Sequence, residues 1–257
     1  MFDGVLDVKI GYVLCGIIWS LAVGFAIGNY ACSLVHRLPR GRLILDKPPY
    51  CGHCGTLLAT KDLFPVFSAL WLKHRCRYCK TPFPVSHTWT ELLVGLLLVL
   101  AYFKFNYGEQ FLLVSILGVF LIILAAIHAN ESMLMGKMLF AVGLSGIMFR
   151  ILLDHSIFNF VEGGLYALII AVVIWRKQVV KVGHIYTIPP QAQLLVVGGL
   201  CVGASQLPQF LTLYVVLWCL SFVIGKIKIA EIPYSVPFGF AVMISVMYRP
   251  AIPLLPI

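Results

Sequence analysis

Four cysteines form the one arrangement in this chain whose spacing names a chemistry by itself. Cys51-x-x-Cys54 and Cys76-x-x-Cys79 are two knuckles joined by residues 55–75. Two intervening residues let both thiolates of a tight turn reach one ion, and two such turns complete a closed four-sulfur site of the zinc-ribbon type. Gly52 and Gly55 suit such a turn. Four protein ligands leave no open coordination position, so the expected role is structural. Zinc is the expected ion; iron in the same thiolate set is the alternative that spacing leaves open. Phe64, Pro65, Phe67, Leu70 and Trp71 are too few to build a core between the knuckles. Metal binding then supplies much of the folding free energy, roughly 10 kcal/mol in comparable small sites. Cys15, Cys32, Cys201 and Cys219 stand singly in apolar stretches and read as small hydrophobes.

The elements that carry this module are membrane spans. Apolar residues make up 61% of the chain and charged residues 11%, against about 45–50% and about 25% in a soluble domain. Each span takes about 20 apolar residues. Polar interruptions leave eight candidates, near 10–34, 91–107, 111–129, 138–153, 157–175, 191–205, 209–225 and 235–248. The expected fold is all-α, a polytopic helix bundle with short turns near 108 and 206. Three regions follow: a first transmembrane helix (1–35), a cysteine-rich loop (36–90) and a seven-helix membrane domain (91–257).

Cytoplasmic loops retain Lys and Arg. With the N-terminus outside, fifteen of the nineteen basic residues fall on the cytosolic side; Lys9, Lys104, Arg150 and Arg249 are the outside four. The cysteine loop is then cytosolic, in a reducing compartment where structural disulfides are disfavoured. Retention of basic loops also accounts for the net charge of +9 without a nucleic-acid partner. The first ten residues contain Asp3, Asp7 and Lys9, so a positive n-region is missing and the first span reads as retained.

Around the cysteines the residues take on a family character. Gly28-Asn29-Tyr30-Ala31-Cys32 and His36-Arg37-Leu38-Pro39 resemble the "GSFLN…YRLP" end of the first helix in type IV prepilin peptidases, aspartic peptidases of the A24 type. Asp62-x-x-Pro65-x-x-Ser68, Arg75-Cys76-Arg77-Tyr78-Cys79 and Glu91-Leu92-Leu93 are similar to the family's loop and second helix. Ile232-Pro233 and Pro237-Phe238-Gly239 are similar to its last. The resemblance is most specific over residues 24–95. It implies a multi-pass protein of the bacterial inner membrane that serves type IV pilus or type II secretion biogenesis. Family members cleave the leader of prepilins and methylate the new N-terminus with S-adenosylmethionine. Implied partners are membrane lipid, prepilin or pseudopilin substrates, and pilus or secretion assembly proteins.

Aspartic proteolysis needs two neighbouring carboxylates in different protonation states. The family carries one Asp in "A-I-D-x-E/D-H-x-L-L-P-D" and one in "G-x-G-D-x-K". Here the first stretch reads Ala126-Ile127-His128-Ala129-Asn130-Glu131, so His128 stands at the aspartate position. The second reads Ile188-Pro189-Pro190-Gln191-Ala192-Gln193, with Gln191 at the aspartate position. No Asp or Glu occurs from residue 163 to 230. Glu131 with His128, three apart and so on one helix face, is the substitute acid–base pair; a solvated turn is its competing reading. His184 and Tyr186 read as interfacial, and Asp154 and His155 fall on the opposite membrane side.

Asp62 and Glu91 stand where the family has acids and are the candidates for substrate or methyl-transfer contacts. A turn cap explains Asp62 equally well, and a helix-start carboxylate explains Glu91. Glycine-rich nucleotide-binding patterns do not occur, so no residues mark a site for S-adenosylmethionine. The expected function is a prepilin peptidase-like protein without proteolytic activity. The alternatives are a membrane scaffold of the same machinery and an active leader peptidase with a substitute site.

Overall fold

A computed structural model of the chain describes residues 3–41, 51, 53–57, 75–82, 86–131, 134–154, 157–175, 180–182, 185–187, 189–226 and 232–248. Asp62, Gly52, His155, His184 and the loop residues Phe64, Pro65, Phe67, Leu70 and Trp71 lie outside the described residues. Among those described the helices are α1 (Asp3–Arg37), α2 (Ser86–Phe105), α3 (Glu109–Glu131), α4 (Gly136–Asp154) and α5 (Ile157–Trp175). They continue with α6 (Pro190–Val202), α7 (Leu207–Lys226) and α8 (Ser235–Met247). A small antiparallel pair, β1 (Val180–Val182) with β2 (Ile185–Thr187), lies between α5 and α6, Val180 opposite Thr187.

Each helix coincides with an expected span. Five are long and apolar enough to cross a membrane: Ile10–Arg37, Thr88–Phe105, Glu109–Glu131, Phe158–Trp175 and Ala204–Gly225. Pro190–Val202 and Ser235–Met247 are shorter apolar helices. At 1.5 Å per residue, α1 is about 50 Å long, well beyond the roughly 30 Å of a hydrocarbon core. The turn expected near 206 falls at Gly203. Its φ of +76° is closed to most side chains, and its N–H caps the Gly199 carbonyl at 2.8 Å.

Contacts group the chain into two compact units, Met1–Met133 and Leu134–Ile257. In the first, α1 lies along α2, and both meet α3. Glycines set the α1–α2 spacing. A Cβ added to Gly24 would stand 2.6 Å from Gly95 Cα, and one added to Gly28 would stand 2.7 Å from Glu91 Cα. The faces Gly24-x-x-x-Gly28 and Glu91-x-x-x-Gly95 therefore meet backbone to backbone, the close approach that small residues permit between membrane helices. Nearer the start of α1, Tyr107 fixes the α2–α3 turn. Its hydroxyl donates to the Gly16 carbonyl at 2.7 Å and lies 2.9 Å from Ser20 Oγ.

In the second unit α6 is the hub, packing against α4, α5 and α8. Gly163 and Gly199 bring α5 and α6 into backbone contact. Phe210 of α7 meets Phe238 of α8 edge to face at 6.1 Å. Arg150 of α4 is wholly buried. Its Nε donates to the Cys201 carbonyl at 3.0 Å and its Nη2 to Gln206 Oε1 at 3.3 Å. Cys201 lies in the last turn of α6, where the helix dipole concentrates negative charge and favours a cation. The charge count from sequence treated Arg150 as an outside charge. The structure adds that the residue is an internal strut, used because unbonded terminal carbonyls are costly in an apolar bundle.

Gly24→Ala is expected to lower the thermal midpoint in detergent, because overpacking against backbone costs about 1–3 kcal/mol. Gly11→Ala, with nothing within 4 Å of the added carbon, leaves it unchanged or higher. Arg150→Leu strips two buried acceptors of their donor, at about 1–3 kcal/mol each. A circular-dichroism melt of the purified variants reads both effects.

Candidate functional site: a four-cysteine metal centre

Each knuckle is built by its own backbone. The Cys51 N–H donates to the Thr56 carbonyl at 2.9 Å, and the Gly55 N–H returns a bond to the Cys51 carbonyl at 2.9 Å. The second turn repeats this: Cys76 N–H to the Thr81 carbonyl at 2.9 Å and Lys80 N–H to the Cys76 carbonyl at 3.0 Å. Both turns need a left-handed residue after the second cysteine. Gly55 supplies it at φ +69°, and Lys80 supplies it at φ +60°, where a side chain is disfavoured by about 1–2 kcal/mol. An antiparallel bridge between Arg75 and Pro82 closes the base of the second turn.

The ligand atoms of Cys51, Cys54, Cys76 and Cys79 all lie within 4.8 Å of one another. Cys51 Sγ and Cys79 Sγ, from different knuckles, are 3.8 Å apart. A tetrahedral ion with bonds of about 2.3 Å gives sulfur–sulfur edges of about 3.8 Å, so the cluster is close enough to hold a metal and compatible with zinc. The first cysteine of each knuckle is buried, whereas Cys54 is exposed and Cys79 half-buried. Burial pushes the Cys51 thiol up to about 11, against the backbone N–H groups of Cys54 and His53 that favour its thiolate. The other two go the opposite way. The Thr81 hydroxyl, followed by its amide, holds Cys79 down at about 6, and the Thr56 hydroxyl and amide lower Cys54. Thr56 Oγ1 and Thr81 Oγ1 are each 3.2 Å from their sulfur. The two threonines were not singled out from sequence, although the repeated spacing Cys-x-x-Cys-x-Thr was there to be read.

The remaining sequence candidates are placed as follows. Glu91 is buried in α2 against Gly28 of α1, beside Cys32. Its expected position at a helix start is corrected: α2 begins at Ser86, so Glu91 lies beyond the first turn, where the dipole has faded. His128 is buried in the last turn of α3. Glu131 ends that helix, and its Oε1 accepts from Arg40 Nη2 at 3.0 Å. Arg40 Nη1 also donates to the His36 carbonyl at 2.7 Å. The ion pair thus ties the exit of α1 to the end of α3. Gln191 lies half-buried in the first turn of α6, which starts at Pro190 without a side-chain cap. His128 and Gln191 belong to different units.

Comparison with known proteins follows the same residues. The model of the bacterial peptidase A24 N-terminal domain matches residues 22–105, the stretch that holds the Gly24/Gly28 contact, both knuckles and α2. A prepilin leader peptidase/N-methyltransferase of Klebsiella pneumoniae is 31% identical over 134 residues, 50% of this chain and 59% of that protein. One from Myxococcus xanthus is 28% identical over 130 residues, 51% of this chain and 39% of the relative. A third, from Aeromonas hydrophila, is 28% identical over 153 residues, 49% of this chain and 52% of the relative. The matched stretches span about half the length of these relatives. No solved structure matches the chain. Domain match, relatives and the paired knuckles fall on the same stretch: over about half its length the chain is similar to prepilin leader peptidase/N-methyltransferases.

Proposed function

We propose that this chain is a zinc-bearing inner-membrane protein of the prepilin peptidase family that has lost aspartic proteolysis and keeps a role in handling prepilins. One observation carries the reading. Residues 163–230 contain no acid at all, and in the resemblance drawn from sequence His128 and Gln191 stand at the two aspartate positions of the family. A glutamine amide takes no proton from water at a useful rate, so a pair of carboxylates sharing one proton is not available there. The substitute pair of His128 and Glu131 is disfavoured by the engagement of Glu131 with Arg40 at 3.0 Å, a bond that serves to hold two helix ends.

The cysteine module is cytosolic in this reading, following the distribution of basic residues. Cys51, Cys54, Cys76 and Cys79 would hold the zinc in a closed four-thiolate site. There the ion cross-links a loop that has little core of its own. Glu91, buried beside Gly28, and Asp62 stay the residues proposed to face a substrate or the methyl-transfer reaction. S-adenosylmethionine would be the methyl donor of that reaction.

The purified chain is expected to carry stoichiometric zinc by elemental analysis. Cys54→Ser is expected to lower zinc content severalfold and to expose residues 55–75 to limited proteolysis; an unchanged zinc content would sink the ligand assignment. With a prepilin in detergent, no leader removal is expected on a gel that resolves precursor from mature pilin. Efficient cleavage by the chain alone would overturn the inactive reading. Radiolabelled S-adenosylmethionine then separates the two remaining roles. Label on a mature pilin marks a methyltransferase; no label, with pilin or assembly subunits co-purifying, marks a scaffold.

A further inference from the structure

The two knuckles are one six-residue unit used twice. Cys51-Gly52-His53-Cys54-Gly55-Thr56 and Cys76-Arg77-Tyr78-Cys79-Lys80-Thr81 agree only at the two cysteines and the threonine. The unit nevertheless repeats its pair of backbone bonds, its left-handed fifth residue and its hydroxyl contact. The two loops differ at every other side chain, so the backbone turn alone does not call for threonine. What the two threonines share is the atom they touch. Each hydroxyl stands 3.2 Å from the outer sulfur of its own knuckle.

Inner and outer sulfurs differ in what holds them. Cys51 and Cys76 are 3% and 1% exposed and are fixed by packing. Cys54 is exposed and Cys79 half-buried, so little besides a hydrogen bond restrains their side chains or screens them from water. Groups that hydrogen-bond to a metal's ligands orient them and set their basicity, and their loss commonly costs 10–100-fold in affinity.

We propose that Thr56 and Thr81 are the positioning residues of the metal centre, their hydroxyls hydrogen-bonded to the sulfurs of Cys54 and Cys79 and holding the two outer ligands at coordinating distance. The inference rests on the metal reading of the four cysteines. A rival role exists: threonine hydroxyls also complete local turns, and in that case the metal would not register their removal.

The test uses the full-length protein in detergent, loaded with zinc or cobalt(II). The double variant T56V/T81V keeps the shape of threonine and removes both hydroxyls; T56S/T81S keeps the hydroxyls. Transfer of zinc to a chromophoric chelator is expected to be about 10–100-fold faster in the valine variant. Its thiolate-to-cobalt absorption should shift, and iodoacetamide should label Cys54 and Cys79 ahead of Cys51 and Cys76. The serine variant is expected to stay near wild type in all three readings. Equal transfer rates and spectra for valine and wild type would overturn the proposal, as would a serine variant as impaired as the valine one. A melt of the metal-loaded chains separates loss of positioning from loss of fold. If the wild-type chain takes up neither zinc nor cobalt, the metal reading itself falls first, and the role of the threonines falls with it.

Discussion

Convergence of four sulfurs on one coordination sphere is the constraint from which the soluble part of this protein takes its form. A thiolate cluster with sulfurs within 4.8 Å of one another is electrostatically unfavourable without a cation, because like charges at that separation repel strongly in a poorly solvated site. The chain brings the sulfurs together anyway, through turns that satisfy their own backbone groups. Such an arrangement is compatible with a positive ion that completes it. The helices on either side serve that end. α1 delivers the loop, α2 receives it, and the glycine contact at Gly24 and Gly28 holds the two helices at the closest spacing a backbone allows.

The membrane part obeys a different rule. With no water to solvate them, polar groups inside the bundle must find partners. Arg150 gives its charge to the end of α6 and to Gln206. Outside the bundle, just past the end of α1, the exposed Arg40 pairs with Glu131 and donates its second nitrogen to the carbonyl of His36. In both cases an arginine, with donors fixed in a planar fork, bridges two segments where a lysine would reach only one.

Much of this was legible in the chain. Helix positions follow from runs of apolar residues: each of the eight expected segments coincides with a helix among the described residues, and five of these helices are long and apolar enough to cross a membrane. The four-cysteine cluster is legible from the two Cys-x-x-Cys pairs, whose sulfurs the structure brings within 4.8 Å of one another. What escaped were contacts that depend on three-dimensional register. Glu91 was taken as a helix-start carboxylate because the polar run before it hides the true beginning of α2 at Ser86. The role of Arg150 is not legible because hydropathy sees a basic residue near a span end, not the helix terminus facing it. Lys80 in a left-handed conformation was invisible for another reason: a glycine at its counterpart, Gly55, is what sequence rules expect, and a lysine there carries no signal. Thr56 and Thr81 had a signal, a repeated spacing, but one short enough to pass as turn composition.

The self-contained backbone of each knuckle has a consequence for the order in which the centre assembles. Because every turn closes its own ring of hydrogen bonds, each half offers two sulfurs before the other half arrives. An incoming ion has only to recruit one preorganised pair and then capture the second. The remaining entropic cost is the closure of residues 55–75, roughly 3 kcal/mol beyond a constant for a loop of that length. That is small against the roughly 10 kcal/mol a four-thiolate zinc site returns. A loop closed so cheaply would place little constraint of its own on the length of chain between the two turns.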